Sequence, residues 1–260
     1  MNPLSGSLSG LSICRVAIAL AGIFFATLAG QCRSEPATLI PGCPNPDQHA
    51  ALAGHSPIGN SNSEPEKTDV AIGGASAVIL DVSETSFSEL AHIDLRVRTF
   101  RSQSDYLRTR FSFSRLLLFM PMQYFVDVNP ALFQEQAPSD GVCAIVAHEL
   151  AHVVSLSRGN RIRRFGLVRL LSKRQTAKFE RRTDLEAIHR GYGDGLKSYR
   201  EWVYAHIPPD KLPEKRRNYL SPEEIGAIQI LLQERPELLG YWRKNVPMNL
   251  QEIQSGRRPR

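Results

Sequence analysis

The residues of this chain best able to do chemistry together are His148, Glu149 and His152. They lie inside an apolar run, residues 142–154, that is typical of a buried helix. Residues four apart on a helix lie one turn apart on the same face, so the two imidazoles could hold one zinc ion. Glu149 would then be close enough to take a proton from a water molecule held by the metal. In the alternative interpretation the helix carries two hydrogen-bonded histidines and a solvated glutamate, but such residues are unfavourable in a core without a partner.

A catalytic zinc ion usually has three protein ligands and leaves one position for water, so we expect a third ligand further along the chain. Glu180 and Asp184 are four residues apart and would share one face of a second helix. Glu180 could bind the metal, while Asp184 could accept a hydrogen bond from the second ring nitrogen of a ligand histidine. In the alternative interpretation both acids are solvated charges beside Arg181 and Arg182.

The pattern His148-Glu149-x-x-His152 followed by Glu180-x-x-x-Asp184 resembles the gluzincin metallopeptidases. Within that group it is most similar to the CAAX prenyl protease and heat-shock membrane protease family and its soluble envelope relatives. The resemblance implies one Zn²⁺ per chain, bound by His148, His152 and Glu180, with Asp184 as a supporting residue behind a histidine. It also implies that Glu149 is the general base in the hydrolysis of a polypeptide substrate.

The resemblance extends over residues 120–192 and includes the strand before the zinc helix. In that family an edge strand precedes the helix, and the segment from Tyr124 to Pro130, which overlaps the strand predicted at 123–128, resembles it. An exposed strand edge can align an extended peptide by main-chain hydrogen bonds. The expected substrate-aligning residues are therefore Tyr124, Val126 and Val128.

Three features follow the family pattern less closely. The family often has a histidine near downstream prolines that stabilises the oxyanion, and His206 before Pro208 is the nearest match; the alternative is an ordinary histidine at a helix end. Arg181 and Arg182 stand where the family often has a further acidic residue. The integral-membrane members have several spanning helices, whereas the body of this chain has no segment of that kind.

The elements needed to position these residues predict an α+β fold. Period-two alternation at 95–100 and 110–114 and apolar runs at 116–120 and 123–128 indicate strands of a small, mostly antiparallel sheet. Residues 71–82 are compatible with a helix or a strand. Helices are predicted at the following ranges: 140–157, 176–190, 196–206 and a fourth opened by Ser221-Pro222. The sheet would pack on the pair of zinc-binding helices, in a minimal zincin-like arrangement that the resemblance implies, with additional C-terminal helices.

The start of the chain has the layout of an export signal. Arg15 precedes a nearly continuous apolar run at 16–30 that ends in small residues. Three interpretations remain open: a cleaved signal peptide, a lipid-modified Cys32 and a retained anchor. All three place the protein in the periplasm or cell envelope, outside the cytoplasm.

The remaining domain boundaries follow from composition. Residues 31–68 are rich in Pro, Gly, Ser and Asn and predict a flexible linker. The catalytic domain is expected at 69–250, and a basic disordered tail at 251–260. Cys32 and Cys43 could form a disulfide after export, and Cys143 is expected to be a buried free thiol.

Residues 158–178 combine arginines and lysines with aliphatic residues, in a chain with 32 Lys and Arg against 26 acidic residues and a net charge of +6. Such a segment could rest on an anionic membrane surface. The alternatives are a lid over the active site and an ordinary solvated helix face. Nucleic acid is not expected as a partner, because no nucleic-acid-binding module is visible and the chain is expected to be exported.

The sequence favours two functions and also leaves open that the metal-bound water attacks a bond other than a peptide bond. The first is a zinc-dependent metalloendopeptidase with Glu149 as the base. The second is a catalytically silent zinc-binding envelope protein that binds peptides, a lipid surface or cell-wall polymer. The presence of Glu149 favours the enzyme, because a structural zinc site gains nothing from that residue.

Overall fold

The computed structural model describes Cys43, residues 64–158 and residues 172–256. The predicted export signal at 1–30 lies outside the described residues, as does the larger part of the basic segment, 159–171. Among the helices that are described, none is both long enough and apolar enough to cross a membrane.

The described residues contain one sheet, whose three strands are β1 (Asp94–Thr99), β2 (Leu107–Phe111) and β3 (Gln123–Val128). β3 lies in the middle, parallel to β1 and antiparallel to β2. The α+β class is confirmed. The prediction of a mostly antiparallel sheet is wrong, because one of the two strand pairs is parallel: the chain reverses between β1 and β2 and again between β2 and β3, so that β3 runs in the direction of β1.

Two further segments are helical: one had been undecided between helix and strand, and the other had been predicted as a strand. The residues that were ambiguous, 71–82, belong to α1 (Glu64–Ser86), which also takes over the end of the predicted linker. The predicted strand at 116–120 is wrong, because the chain forms the short helix α2 (Phe113–Leu117) and a turn there. The Ser112 side chain caps α2 by accepting a hydrogen bond from the Arg115 N–H, which competes with a strand conformation.

The rest of the described chain is helical. Its helices are α3 (Ala131–Gln134), α4 (Ser139–Arg158), α5 (Lys173–Ala187), α6 (Gly193–His206), α7 (Leu212–Asn218), α8 (Pro222–Glu234), α9 (Leu238–Lys244) and α10 (Leu250–Ser255). The helices predicted at 140–157, 176–190 and 196–206 are confirmed as α4, α5 and α6. The fourth helix, predicted to open at Ser221-Pro222, is confirmed as α8, where Ser221 and Glu224 form a capping box. The prediction of a disordered tail is wrong for residues 251–255, because they belong to α10, which is capped by Asn249 and buries Ile253.

The core is built around α4. Every residue from Gly141 to Val154 is buried, and α1, α5, α6 and β2 all pack against this helix. The contact with α6 is close, because a Cβ atom at Gly195 would overlap the carbonyl oxygen of Asp140. This packing fixes α6, and with it Arg200, beside the residues that the sequence marks as a site.

The cysteines pair differently from the sequence expectation. Cys43 forms a disulfide with Cys143 of α4, with 5.8 Å between the Cα atoms. The expectations of a free thiol at Cys143 and of a Cys32–Cys43 bond are therefore wrong. The reason is tertiary: α1 packs against α4, and the carboxylate of Asp81 on α1 accepts a hydrogen bond of 3.0 Å from the backbone N–H of Cys43.

Candidate metal centre

Helix α4 presents its two histidines side by side in the interior. His148 and His152 lie one helical turn apart, and both are buried. Their Nε2 atoms are only 3.1 Å apart. Since small and aliphatic residues surround them on the helix, the imidazoles are held by packing rather than by solvent.

Helix α5 brings Glu180 to the same point, as the sequence predicted. Its Oε2 atom lies 3.1 Å from the His152 Nε2 atom and 3.3 Å from the His148 Nε2 atom. These three residues form a buried group that could hold a metal ion. The two histidines and the glutamate are separated by 28 residues of chain, so their convergence is a property of the fold.

The size of this triangle fits a small transition-metal ion. A tetrahedral zinc ion with bonds of about 2.0–2.1 Å holds its ligand atoms about 3.3–3.4 Å apart. The observed separations of 3.1, 3.1 and 3.3 Å are close to that spacing. All three atoms therefore have room for one shared ion at ordinary bond lengths.

Asp184 supports the first histidine. Its Oδ1 atom lies 2.8 Å from the Nδ1 atom of His148 and 2.8 Å from a guanidinium nitrogen of Arg200, while its Oδ2 atom accepts a 2.8 Å hydrogen bond from the backbone N–H of Leu220. Asp184 is fully buried, so the interpretation of Glu180 and Asp184 as solvated charges is wrong. A proton on Nδ1 faces the carboxylate, which directs the Nε2 lone pair of His148 to the metal position.

Thr183 orients the second histidine, His152, and this role was not predicted from the sequence. Its Oγ1 atom lies 3.0 Å from the Phe179 carbonyl, which can only accept a hydrogen bond, and 3.3 Å from the Nδ1 atom of His152. Since the hydroxyl donates its one hydrogen to the carbonyl, its oxygen is left to accept from Nδ1–H. The Nε2 lone pair of His152 is then also directed to the metal position. The sequence contains a signal for this role, because Thr183 lies three residues after Glu180 and hence on the same face of α5.

The site has an excess of buried negative charge. Three of its carboxylates are buried, on Glu149, Glu180 and Asp184, and of the buried guanidinium groups in the described residues Arg200 pairs with Asp184 whereas Arg181 pairs with Glu224. Burial alone would lower the pKa of His148, but Asp184 and Glu180 outweigh it and raise that pKa to about 9. Burial would likewise raise the pKa of Glu180, yet the two histidines hold it well below its usual range. The pocket therefore favours positive charge, whether a proton or a metal ion.

Glu149 lies beside the ligands with one oxygen unused. Its Oε2 atom is buried and makes no hydrogen bond to any residue that the structure describes. An uncompensated buried carboxylate oxygen is costly for stability, which is typical of a group kept for function. The backbone is fixed from the sheet, because the Thr109 hydroxyl on β2 donates a 2.9 Å hydrogen bond to the Glu149 carbonyl.

A tyrosine that follows α7 completes the surroundings. The ring centre of Tyr219 lies 5.9 Å from that of His148, and the Arg200 guanidinium lies 4.3 Å from the Tyr219 ring centre. Burial, together with the negative charges of Glu180 and Glu149, holds the pKa of the Tyr219 phenol well above its usual range. The phenol therefore keeps its proton at neutral pH and can act as a hydrogen-bond donor.

Arg181 explains how Tyr219 is held there. The side chain is buried and donates hydrogen bonds of 2.7 and 2.9 Å to the carbonyls of Pro247 and Tyr219 and of 2.6 Å to the carboxylate of Glu224. Arg181, which stands where the resembled family often has an acidic residue, is therefore a buried cation that links α5 to the C-terminal helices.

The strand expected to align a substrate does not have a free edge. All six residues of β3 are buried, and β3 pairs with β1 on one side and β2 on the other. Tyr124, Val126 and Val128 face the hydrophobic core. Main-chain pairing with a peptide along β3 is therefore contradicted, because its hydrogen-bonding groups are already used within the sheet.

His206 is not brought to the metal-binding residues in the described part of the chain. Its ring stacks on Trp202 with the ring centres 4.6 Å apart, and its Nδ1 atom lies 2.8 Å from the Trp202 carbonyl. The residue is exposed at the end of α6, as in the alternative interpretation.

We expect the substitution Thr183→Val to weaken zinc binding about 10- to 100-fold, because it removes the acceptor that orients His152 while keeping the shape of the side chain. The measurement is competition for zinc with a chromophoric chelator, which does not require activity. Thr176→Val is the matched control: this hydroxyl also donates to a carbonyl four residues earlier, that of Ser172, but it lies two turns before Thr183, at the exposed start of α5. Equal zinc affinities for the two variants would show that Thr183 does not orient the ligand.

A scan against protein-family models and searches of curated proteins and of solved structures found no match for this chain.

Proposed function

We propose that this chain is a zinc-dependent metalloendopeptidase, which hydrolyses peptide bonds in polypeptide substrates. The observation that carries the proposal is the convergence of the two Nε2 atoms and the Glu180 oxygen within 3.1–3.3 Å of one another. The tautomers favoured by Asp184 and Thr183 support it, since both ring nitrogens then point their lone pairs at one position.

Zinc is the ion that we assign to this site. Two imidazole nitrogens and one carboxylate oxygen are a typical ligand set for catalytic zinc, with a fourth position open to water. A zinc ion held by His148, His152 and Glu180 would supply a Lewis acid and would lower the pKa of a bound water to about 7.

Glu149 is the proton carrier in this proposal. Its unused Oε2 atom would take a proton from the water that attacks the peptide carbonyl, and would return that proton to the amine that leaves. Tyr219, with its phenol kept protonated, would donate a hydrogen bond to the carbonyl oxygen as that oxygen gains negative charge. It replaces His206 in this role.

The substrate would extend along β2 instead of β3. Within the described residues β2 pairs only with β3, so its other side is an edge of the sheet. This strand also contacts the catalytic helix at Glu149 through Thr109. An extended peptide that adds to this edge would run past the carboxylate that serves as base.

We also propose that the protein is exported to the periplasm or cell envelope. The disulfide between Cys43 and Cys143 supports this location, because such bonds persist in oxidising compartments and are rare in the cytosol. The apolar run at 16–30 has the layout of an export signal.

The competing function is a zinc-binding envelope protein without catalytic activity. It would use the same three ligands but would have no use for Glu149. The buried, unpaired Oε2 atom of that residue favours the enzyme, since a silent site would have gained stability by losing the charge.

The first experiment measures metal and activity on the same purified protein. We expect about one zinc ion per chain, hydrolysis of casein, complete loss of hydrolysis after treatment with a chelator, and recovery when zinc is added back. A protein that holds zinc but leaves casein intact would favour the silent alternative. A protein that cleaves casein equally well with and without the chelator would contradict the proposed role of the metal.

A further inference from the structure

The turn between β2 and β3 exposes a group of large apolar side chains. They belong to α2 and the residues that follow it: Phe113, Leu117, Leu118, Phe119 and Met120. Leu118 is 69% and Phe119 is 76% exposed, and we refer to residues 113–120 as the apolar tip. Single exposed apolar residues are ordinary on a protein surface, but a contiguous group of this kind typically marks an interaction site.

The outer face of the sheet is covered by arginines. Residues of one strand face alternate sides, and the inner side of β3 is formed by Tyr124, Val126 and Val128. The other side carries, in register across the three strands, the side chains Arg96, Phe125 and Arg110 in one row and Arg98, Asp127 and Arg108 in the next. We refer to these four arginines as the arginine face.

The arginine face presents cations to solvent and keeps its carboxylate inside. The Asp127 side chain is 4% exposed and lies 3.0 Å from Arg108 and 3.6 Å from Arg110, which are themselves 41% and 44% exposed. The Arg98 guanidinium lies 3.3 Å from the centre of the Phe125 ring. This side of the sheet therefore carries four guanidinium groups against two carboxylates, the buried one of Asp127 and that of Asp94, whose side chain is 38% exposed, so its charge is positive.

The apolar tip and the arginine face adjoin each other. β2 ends and β3 begins at the tip, and β1, parallel to β3, begins at the same end of the sheet. The Asp94 carboxylate connects the two parts at this end of the sheet, because its oxygens lie 3.2 Å from the guanidinium of Arg96 and 3.8 Å from that of Arg115 in the tip. The row formed by Arg96 and Arg110 is thus the one nearest to the exposed apolar side chains.

We propose that the apolar tip and the arginine face together form a docking surface for an anionic lipid bilayer. The two parts match the two regions of a bilayer leaflet. The tip would bury leucine and phenylalanine side chains among the acyl chains, and the arginines would contact the phosphates of the lipid headgroups. A soluble polyanion would engage the arginines but would leave the apolar tip in water. The proposal extends beyond the hydrolytic function and does not depend on it.

This surface is distinct from the basic segment at 158–178 that the sequence offered for the same kind of partner. Most of that segment lies outside the described residues. The docking surface proposed here lies on the sheet, on the side that faces away from α4 and its ligands, since Thr109 on the opposite side of β2 contacts the Glu149 carbonyl.

The test is co-sedimentation of the full chain with vesicles of phosphatidylglycerol and phosphatidylcholine, against vesicles of phosphatidylcholine alone. We expect binding to the anionic vesicles only. Leu118→Asp/Phe119→Asp should lower the partition coefficient at least about tenfold, because two charges would enter the bilayer surface. Arg96→Gln/Arg110→Gln should lower it about 25-fold, from about fivefold for each cation removed.

Matched controls separate docking from general charge and apolarity. Ile230→Asp changes an apolar side chain of α8 that is 60% exposed, and Lys197→Gln/Lys244→Gln removes two exposed cations from α6 and α9. Both controls should bind the anionic vesicles like the natural chain, and all variants should keep their zinc content and their far-UV circular dichroism. Unchanged binding by the tip variant would overturn the proposal. The proposal would also be overturned if heparin, a soluble polyanion, abolished binding while the tip variant still bound normally, because that result would indicate a polyanion as the partner.

Discussion

The variant Glu149→Gln is expected to retain one zinc ion per chain and to hydrolyse casein about 10²- to 10⁴-fold more slowly than the natural protein, which is the usual contribution of a positioned general base. The substitution keeps the shape of the side chain and removes its ability to accept a proton. It should not disturb the ligands, because the three atoms that form the metal position belong to other residues. Zinc content and kcat, measured on the same preparation, are the two readouts.

Two further variants make this result specific. Glu180→Gln should lose zinc and activity together, because it removes the anionic ligand of the triangle. Glu201→Gln, an exposed residue of α6, should change neither quantity. Full activity in Glu149→Gln would rule out this residue as the base, and loss of zinc from that variant would mean that the carboxylate contributes to metal binding.

The ligand set could be predicted from the sequence because its information is local. His148 and His152 lie within one helical turn, and so do Glu180 and Asp184, so helix periodicity alone places each pair on one face. Periodicity does not say that the two helices meet. That step came from the resemblance to a known motif, and the structure bears out the meeting of the four side chains.

The residues around the ligands could not be predicted, because they come from distant parts of the chain. Arg200 reaches Asp184 from α6, and the backbone of Leu220 and the ring of Tyr219 arrive from the segment after α7. In the sequence Arg200 resembles any arginine on the surface of a helix. Only the packing of α6 on α4, which Gly195 permits, turns it inward.

The mostly antiparallel sheet and the edge position of Gln123–Val128 were wrong predictions for a related physical reason. Pairing partners in a sheet are set by long-range contacts, whereas the residue pattern of a strand is local and does not name its neighbours. One weak signal was present: Phe125 adds an apolar residue on the side of the strand opposite Tyr124, Val126 and Val128, as in a strand that is buried on both faces. Disulfide connectivity carries no such signal, since several pairings of four cysteines satisfy the same sequence.

The disulfide provides the other large expected effect. The variant Cys43→Ala/Cys143→Ala should lower the free energy of unfolding by about 3–5 kcal/mol, because the bond closes a loop with a sequence separation of 100 and restricts the unfolded chain. A domain of this size is stable by only about 5–15 kcal/mol, so a large share of its stability would be lost. Urea unfolding of metal-free protein is the measurement, since bound zinc would add stability of its own by mass action.

The control for this prediction addresses the pairing itself. Cys32→Ala should leave the unfolding free energy unchanged, because the bond joins Cys43 to Cys143, whereas a Cys32–Cys43 bond would make this variant as sensitive as the double one. Peptide mapping without a reducing agent should recover the peptides of Cys43 and Cys143 joined. If the double variant unfolds at the same urea concentration as the natural chain, the N-terminal segment is not tied to α4. The helix that carries both histidine ligands would then be held by packing alone, without a covalent link five residues before His148.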